Sequence, residues 1–396
     1  MSEVVDLFCS LAKIPSPSLG EDAVAEAIVS FCRDNGIKCC RDTFGNVRAS
    51  VPATDKTKKP LMLSAHMDVV GDASPVTIVF SDDKIETDKK RTLGADDKTG
   101  VAIALTAAKR LAADKTFPHG GLEMTFTRDE ESGMSGARAL DLSDVEAEHI
   151  LVLDGETLGE FQVAGAGYTN LAVAVENTKG GHSGNDIADT TRVNAVKLLA
   201  EIMAEIPQGV FDRDETGVVT SINAGAVAGG GLRNKTYAEP FMKSAVSDGM
   251  TNMINTSAYA AYSIRSSDKA SEMRLRGQIV GIIEKYKALY AGRAAVSAVF
   301  SEKVPPFERA EDKTLETVAR RAFENVGLPF KVTSFHAAAE THLYAHMTNK
   351  NGVAFKPVLI GAATIRDMHS ANESVVASSI DGGLTLVESL IREYNR

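Results

Sequence analysis

The chain has 396 residues, 44% of them hydrophobic and 24% charged, with a formal net charge of −10. That length exceeds one compact core of typical size and predicts two domains. The acidic balance, without any basic run, argues against nucleic acid, whose binding depends on neutralising phosphates with Lys and Arg; no apolar run approaches the length of a membrane span.

The opening stretch, MSEVVDLFCSLAKIPSPS, lacks the basic region, apolar stretch and small-residue cleavage site of a signal peptide. The four cysteines, Cys9, Cys32, Cys39 and Cys40, form no C-x-x-C pair. Cys9 and Cys32 fall at apolar helical positions and read as core thiols, which fits a reduced, cytoplasmic protein. Val4, Val5, Phe8 and Leu11 recur at helical spacing over residues 3–13. IPSPSLGED breaks that helix, a second runs from about Glu21 to Asp34, and Asn35-Gly36 stops it. GNVRASV and PLMLSAH read as strands, the second nearly all apolar and so central in a sheet. TGVAIALTAAKRLAA is a helix with Val101, Leu105, Ala108 and Leu111 on one face. LEMTFT is a buried strand, SGARALD opens a short helix and HILVLD is another strand. Strands alternating with helices predict an α/β fold, a mostly parallel sheet with helices on both faces.

The pattern changes near residue 165. YTNLAVAVEN, VVTSINAGAV and SAYAAYSIRS alternate as half-exposed strands. A helix from about Arg192 to Glu205 follows the first, and a helix with Leu275, Ile279, Ile282, Ile283 and Tyr286 on one face precedes the strand AAVSAVF. These segments predict an α+β domain over residues 165–302, inserted into a discontinuous domain of residues 1–164 and 303–396. VPPFERAED reads as a linker, after which the helix TLETVARRAFENVG and the strand KPVLIG resume the first style.

Ligands of parallel sheets gather at the carboxyl ends of the strands. His66 and Asp68 follow LMLSA, and Asp96 and Asp97 in GADDKTG precede a helix. Glu130 and Glu131 follow LEMTFT, Asp154 follows ILVL, and His369 follows KPVLIGAATIRDM. Singly, each has a bland reading: a strand-end His or Asp is usually a hydrogen-bonded cap, Asp68 a turn former, and Asp97 and Asp129 solvated. The triplet Asp129-Glu130-Glu131 alone is most simply a solvated turn. As a set, two His and several carboxylates suit a pair of divalent metal ions, zinc first, with manganese or cobalt compatible. Such a centre, with its ions ~3.5–4 Å apart, needs about five ligating side chains, one of them a bridging carboxylate. It also needs one carboxylate left free to take a proton from bound water. The acidic pair meets both needs, one Glu binding metal and its neighbour acting as base, with Gly133 supplying the turn.

The chain resembles the di-zinc exopeptidases that include peptidase T, carboxypeptidase G, aminoacylase and succinyl-diaminopimelate desuccinylase. SAHMDVV, LGADDKTGVA, TRDEESGMSGA, LVLDGE, GGHSG, TNMIN, YSIRS and MHSANE occur in the family's order over nearly the whole chain, and GADDKTG and DEESG look most like the peptidase T branch. The resemblance implies that His66, Asp96, Glu131, Asp154 and His369 hold the metals. Asp96, not Asp97, is then the bridge; His66 and Asp154 serve one ion, Glu131 and His369 the other. It implies that Glu130 is the catalytic base and that Asp68 orients a ligand His. The inserted domain resembles the family's lid and dimerisation domain, which implies a homodimer. There His182 would reach the partner's active site and steady the oxyanion; without the resemblance it reads as a loop histidine. Arg265 and Asn252 match substrate-contacting residues, Arg265 through the substrate carboxylate, a job suited to a two-pronged guanidinium.

Residues 226–250 lengthen the chain relative to many relatives. The glycines of GAVAGGGLRNKTYAEPF do not open a helix after a buried strand, so a flexible insertion is expected rather than a phosphate loop. Residue 255 is Asn where many relatives have Pro. FHAAAETHLY looks like the corresponding stretch of aminoacyl-histidine dipeptidases, with Glu340 placed to meet a substrate α-amino group. His336, His342 and His346 read as partly buried helix residues. The expected function is hydrolysis of short peptides, aminopeptidase- or tripeptidase-like. An N-acyl amino-acid amidohydrolase or dipeptidase with the same centre is the alternative, and a metal- or peptide-binding protein without catalysis the reading from another class. No G-x-G-x-x-G follows the first strand, which disfavours a dinucleotide oxidoreductase.

Overall fold

In the computed structural model, which describes residues 1–230 and 250–396, the strand Leu61–His66 is buried at every position. Leu61, Leu63 and Ala65 join one apolar cluster and Met62 another, because successive side chains on a strand point to opposite faces. A strand covered on both faces is mostly apolar, here with Ser64 and His66 as its only polar members, which is why its sequence shows no alternation. It pairs in parallel with Leu122–Thr127 and with His149–Val152, and the latter pairs in parallel with Lys356–Ile360. These four are the middle of an eight-stranded sheet. Antiparallel Val47–Val51 and Lys38–Arg41 extend one edge. Phe161–Gly165, antiparallel to Lys356–Ile360, and Val332–Phe335 extend the other. The fold is therefore α/β with a mostly parallel sheet flanked by helices.

Helices Glu3–Ala12, Ala95–Ala113 and Ala377–Tyr394 pack together on one face, burying Phe8, Leu105 and Leu386 with Leu63 and Phe126. The short helices Ser135–Ala139 and Thr341–Tyr344 lie in the segments covering the other. Cys9 and Cys32 are buried free thiols. The last helix, Ala377–Tyr394, carries Gly382 and Gly383 in its interior. A Cβ at Gly383 would lie 1.6 Å from the Ala362 carbonyl oxygen, so the glycine lets the helix press against the chain leaving the sheet. A further four-stranded sheet joins Ile365–Arg366, Ser374–Val376, Lys84–Thr87 and Ile78–Ser81. Its first two strands make a hairpin whose tip carries His369.

These elements form one unit, Met1–Gly165 with Phe307–Arg396, and Ala166–Pro306 forms a second. Of the expected linker, Phe307 is buried and exchanges backbone hydrogen bonds with Gly165. In the second unit, five antiparallel strands run in the order Gly209–Asp214, Gly217–Gly229, Ala258–Ser266, Gly167–Glu176, Ala295–Val304. Alternate residues of Gly167–Glu176 are buried. Leu171, Val173 and Val175 pack with Leu198 and Ile202 of helix Ala195–Glu205 and with Leu275, Ile279 and Ile283 of helix Lys269–Leu289. Asn194 and Asp268 start these helices by accepting from free N–H groups of the first turn. The expected insertion begins inside the strand Gly217–Gly229, not in a loop; the rest of it, over residues 231–249, lies outside the described residues. No described helix is long and apolar enough to cross a membrane.

Candidate metal centre

Parallel strands end at one edge of their sheet, so the residues following Ala65, Thr127, Val152 and Ile360 meet there. His66 closes its strand and is 2% exposed. Its Nε2 lies 3.1 Å from Asp96 Oδ1 and 3.4 Å from Asp154 Oδ1. His369, at the hairpin tip, brings Nε2 within 3.0 Å of Asp96 Oδ2 and 3.1 Å of Glu131 Oε2. Two groups able to hold a cation result, His66–Asp96–Asp154 and Asp96–Glu131–His369, and Asp96 belongs to both. Asp96 and Asp97 depart from helical backbone angles within Ala95–Ala113, which turns the Asp96 carboxylate out of the helix and between the two imidazoles.

The acidic triplet forms a turn in which Gly133 and Met134 donate to the Glu130 carbonyl, with Gly133 at φ +149°. The turn gives adjacent glutamates different directions. Glu131 meets His369, whereas Glu130 lines a cavity of about 340 Å³ with His66, Asp96, Glu131, Asp154 and His369. Asp68, fully buried, holds this turn: its Oδ1 accepts from Glu130 N at 2.9 Å and its Oδ2 from Glu131 N at 3.2 Å and Ser18 Oγ at 2.7 Å. His66 Nδ1 is nearer the Asp68 carbonyl, 3.0 Å, than its carboxylate, 3.4 Å. The carboxylate therefore holds the acidic turn as well as facing the histidine, a second task that the i, i+2 spacing does not reveal. Glu21, also buried, accepts from Asp129 N and Arg128 Nε and anchors the same turn.

Crowded carboxyls leave their mark on protonation. Burial, reinforced by Asp154, pushes the Glu130 carboxyl well above its usual range. Burial, reinforced by Asp96, lifts Asp154 to about 8 and Glu131 to about 7. The Asp96 contact, opposed by burial and helped by Glu131, lifts His369 to about 9. Burial opposes Asp96 as well, yet hydrogen bonds from His369 and His66 hold it below the usual range. Among the described residues, no lysine or arginine lines the cavity, and the buried Glu131 Oε1 has no hydrogen-bond partner. A set of imidazoles and surplus carboxylates, with an orphaned oxygen and no described lysine or arginine, is fitted to divalent cations.

Several expected positions differ. Asp97 and Asp129 are buried rather than solvated: Asp97 accepts from Gly100 N at 3.0 Å and Asp129 takes the Ser135 hydroxyl. Folding turns both inward, where they satisfy donors of their own turns. Glu340 is 1% exposed and does not line the cavity. Its Oε2 accepts from Ser64 Oγ, 3.1 Å, and lies 3.4 Å from Tyr344 Oη, so contact with a substrate amine does not fit its burial. His342 is buried in the helix Thr341–Tyr344, but His336 is exposed, precedes that helix and lines the cavity. Gln162 and Glu160, which sequence reasoning passed over, also line it; they belong to a strand and turn with no motif to flag them.

In the second unit, strand Gly181–His182 pairs with Met253–Ile254, and Ser183 N donates to the Asn252 carbonyl at 3.0 Å. This places His182 beside Asn252. The exposed His182 accepts at Nδ1 from Gly184 N and Asn185 N, 3.1 and 3.2 Å, which leaves its proton on Nε2. The Arg265 guanidinium carbon lies 4.4 Å from the centre of the Tyr168 ring, a stacking that limits its freedom.

The chain is 32% identical over 284 residues to the cytosol non-specific dipeptidase of Escherichia coli K12, a match covering 63% of this chain and 56% of the dipeptidase. The aminopeptidase PepT of Bacillus cereus superposes with a TM-score of 0.83 at 22% identity, covering 100% of this chain and 98% of PepT. A dinuclear metal-binding peptidase of the M20 family from Bacillus subtilis superposes at 0.66 with 12% identity, covering 98% and 96%. The family model for peptidase family M20/M25/M40 matches residues 62–393, from within the strand of His66 to the last helix. With that span containing all five residues of the two groups able to hold a cation, the chain belongs to peptidase family M20/M25/M40.

Proposed function

We propose that the protein is a metal-dependent exopeptidase, peptidase T-like, that removes the N-terminal residue of short peptides. One observation carries the reading: two three-residue cation groups share Asp96 beside Glu130, a carboxylate that belongs to neither. His66, Asp96 and Asp154 would hold one divalent ion and Asp96, Glu131 and His369 the other, zinc being the proposed metal and cobalt or manganese compatible with the donors. Bound there, the ions supply Lewis acidity toward the scissile carbonyl and a water of lowered pKa.

The protein's own groups do the rest. A Glu130 carboxylate oxygen takes a proton from the attacking water and passes it to the departing amine. Asp68 holds Glu130 and Glu131 at the required angle through their backbone N–H groups. His182 donates from Nε2 to the oxyanion, Arg265 pairs with the substrate carboxylate and Asn252 contacts the peptide; these roles are proposed from the resemblance. Ala166–Pro306 is proposed as lid and dimerisation domain of a homodimer acting in the cytoplasm. The test is an assay of free, N-acetylated and C-amidated di- and tripeptides, with and without chelator. Chelator-sensitive cleavage of free peptides and rejection of N-acetylated ones is expected. A requirement for the N-acyl group would make the protein an amidohydrolase, and no cleavage of any series would remove the enzymatic reading.

A further inference from the structure

Four residues beyond His369 stands a second acid, Glu373, which is 1% exposed and does not line the cavity. It sits at the base of the hairpin tip, immediately before strand Ser374–Val376. Its Oε2 accepts from Gly94 N at 2.9 Å and from the Thr92 hydroxyl, and its Oε1 accepts from Asp96 N at 3.2 Å. One carboxylate thus grips three donors of the loop that presents the shared aspartate. These three donors satisfy its buried carboxylate, and the Arg91 and Lys98 cations act favourably on its charge.

The same two segments meet again at their side chains, where His369 Nε2 lies 3.0 Å from Asp96 Oδ2. A closed ring results: Asp96 carboxylate, His369 imidazole, hairpin tip, Glu373 carboxylate, Asp96 backbone N–H. Such a ring fixes the shared ligand against one imidazole at two points, where the imidazole contact alone would leave a hinge. It also needs a carboxylate, since only an acceptor at both oxygens can take N–H donors on both arms. A clasp serving stability alone could grip any part of the loop; this one grips the ligand's own backbone.

We infer that Glu373 is a positioning residue that locks Asp96 against His369 and so presets the metal centre; the inference rests on the two-metal reading above. The experiment titrates metal-free wild type, Glu373→Gln and Thr92→Val with zinc in competition with a chromophoric chelator. Far-UV circular dichroism and melting of the metal-free proteins are followed in parallel. Glu373→Gln is expected to keep its fold and lose about 10–100-fold in zinc affinity, with peptidase activity recovered at excess zinc. Thr92→Val removes one donor without touching Asp96 and is expected to weaken zinc in the same direction by less; it carries the test if Glu373→Gln does not fold. Unchanged zinc affinity in the folded variant, or a lowered melting temperature as the sole effect, overturns the inference. Wild type that takes up no zinc overturns the metal-centre reading itself, and this inference with it.

Discussion

His369 reaches Asp96 across 273 positions of the chain, its Nε2 3.0 Å from Asp96 Oδ2, while the other oxygen of Asp96 faces His66. Because both cation groups depend on this one side chain, Asp96→Ala is expected to lose metal from both positions. The loss should exceed the about 10–100-fold typical of residues that only support ligands. Equilibrium dialysis with metal analysis reads the stoichiometry directly. A variant still holding two ions tightly would show that Asp96 is not shared.

Glu130 lines the cavity and is in neither group. Glu130→Gln should retain wild-type metal content, while kcat falls about 10²–10⁴-fold, the range of general acid–base catalysis. Near-normal turnover by the fully loaded variant would remove Glu130 from the mechanism.

Asp68 bears on the acidic turn through Glu130 N and Glu131 N. Asp68→Asn replaces one acceptor oxygen with a donor, facing an N–H that cannot turn away. The expected result is a fall in kcat of about 10–100-fold with a smaller change in KM. A raised KM with kcat unchanged would place its effect on substrate binding instead.

In the metal-free protein, Asp154 and Glu131 titrate at about 8 and about 7 and His369 at about 9. All three are raised, so the native state holds protons that the unfolded chain, with carboxyls near ~4 and imidazole near ~6.5, has released. Stability of the metal-free protein is therefore highest at low pH within this set and is lost as pH rises from about 4 through about 9. Melting of metal-free protein should fall between pH 6 and 9. Metal loading near pH 7 should release protons, seen as a buffer-dependent heat in calorimetry. A loading heat independent of buffer would contradict the raised values.

Arg265 rests against Tyr168. Arg265→Lys keeps the charge but not the two-pronged donor set. It should raise KM for peptides with a free carboxylate by about tenfold and leave C-amidated peptides unchanged. Equal losses for both series would separate Arg265 from the substrate carboxylate.

The sequence alone carries the alternation of strands and helices, the switch of pattern near residue 165 and the acids and histidines that follow the buried strands. These are legible because burial on both faces leaves Leu61–His66 and His149–Val152 apolar but for Ser64, His66 and His149, and because functional groups collect where such runs stop. What hydrogen-bonds to what is not local information. The contacts of Asp68 to the acidic turn and of Glu373 to Asp96 span 62 and 277 positions, and nothing in either segment encodes the other. The burial of Asp97, Asp129 and Glu340 was likewise decided by tertiary structure. A carboxylate reads as solvated until folding supplies donors that offset the cost of taking it out of water.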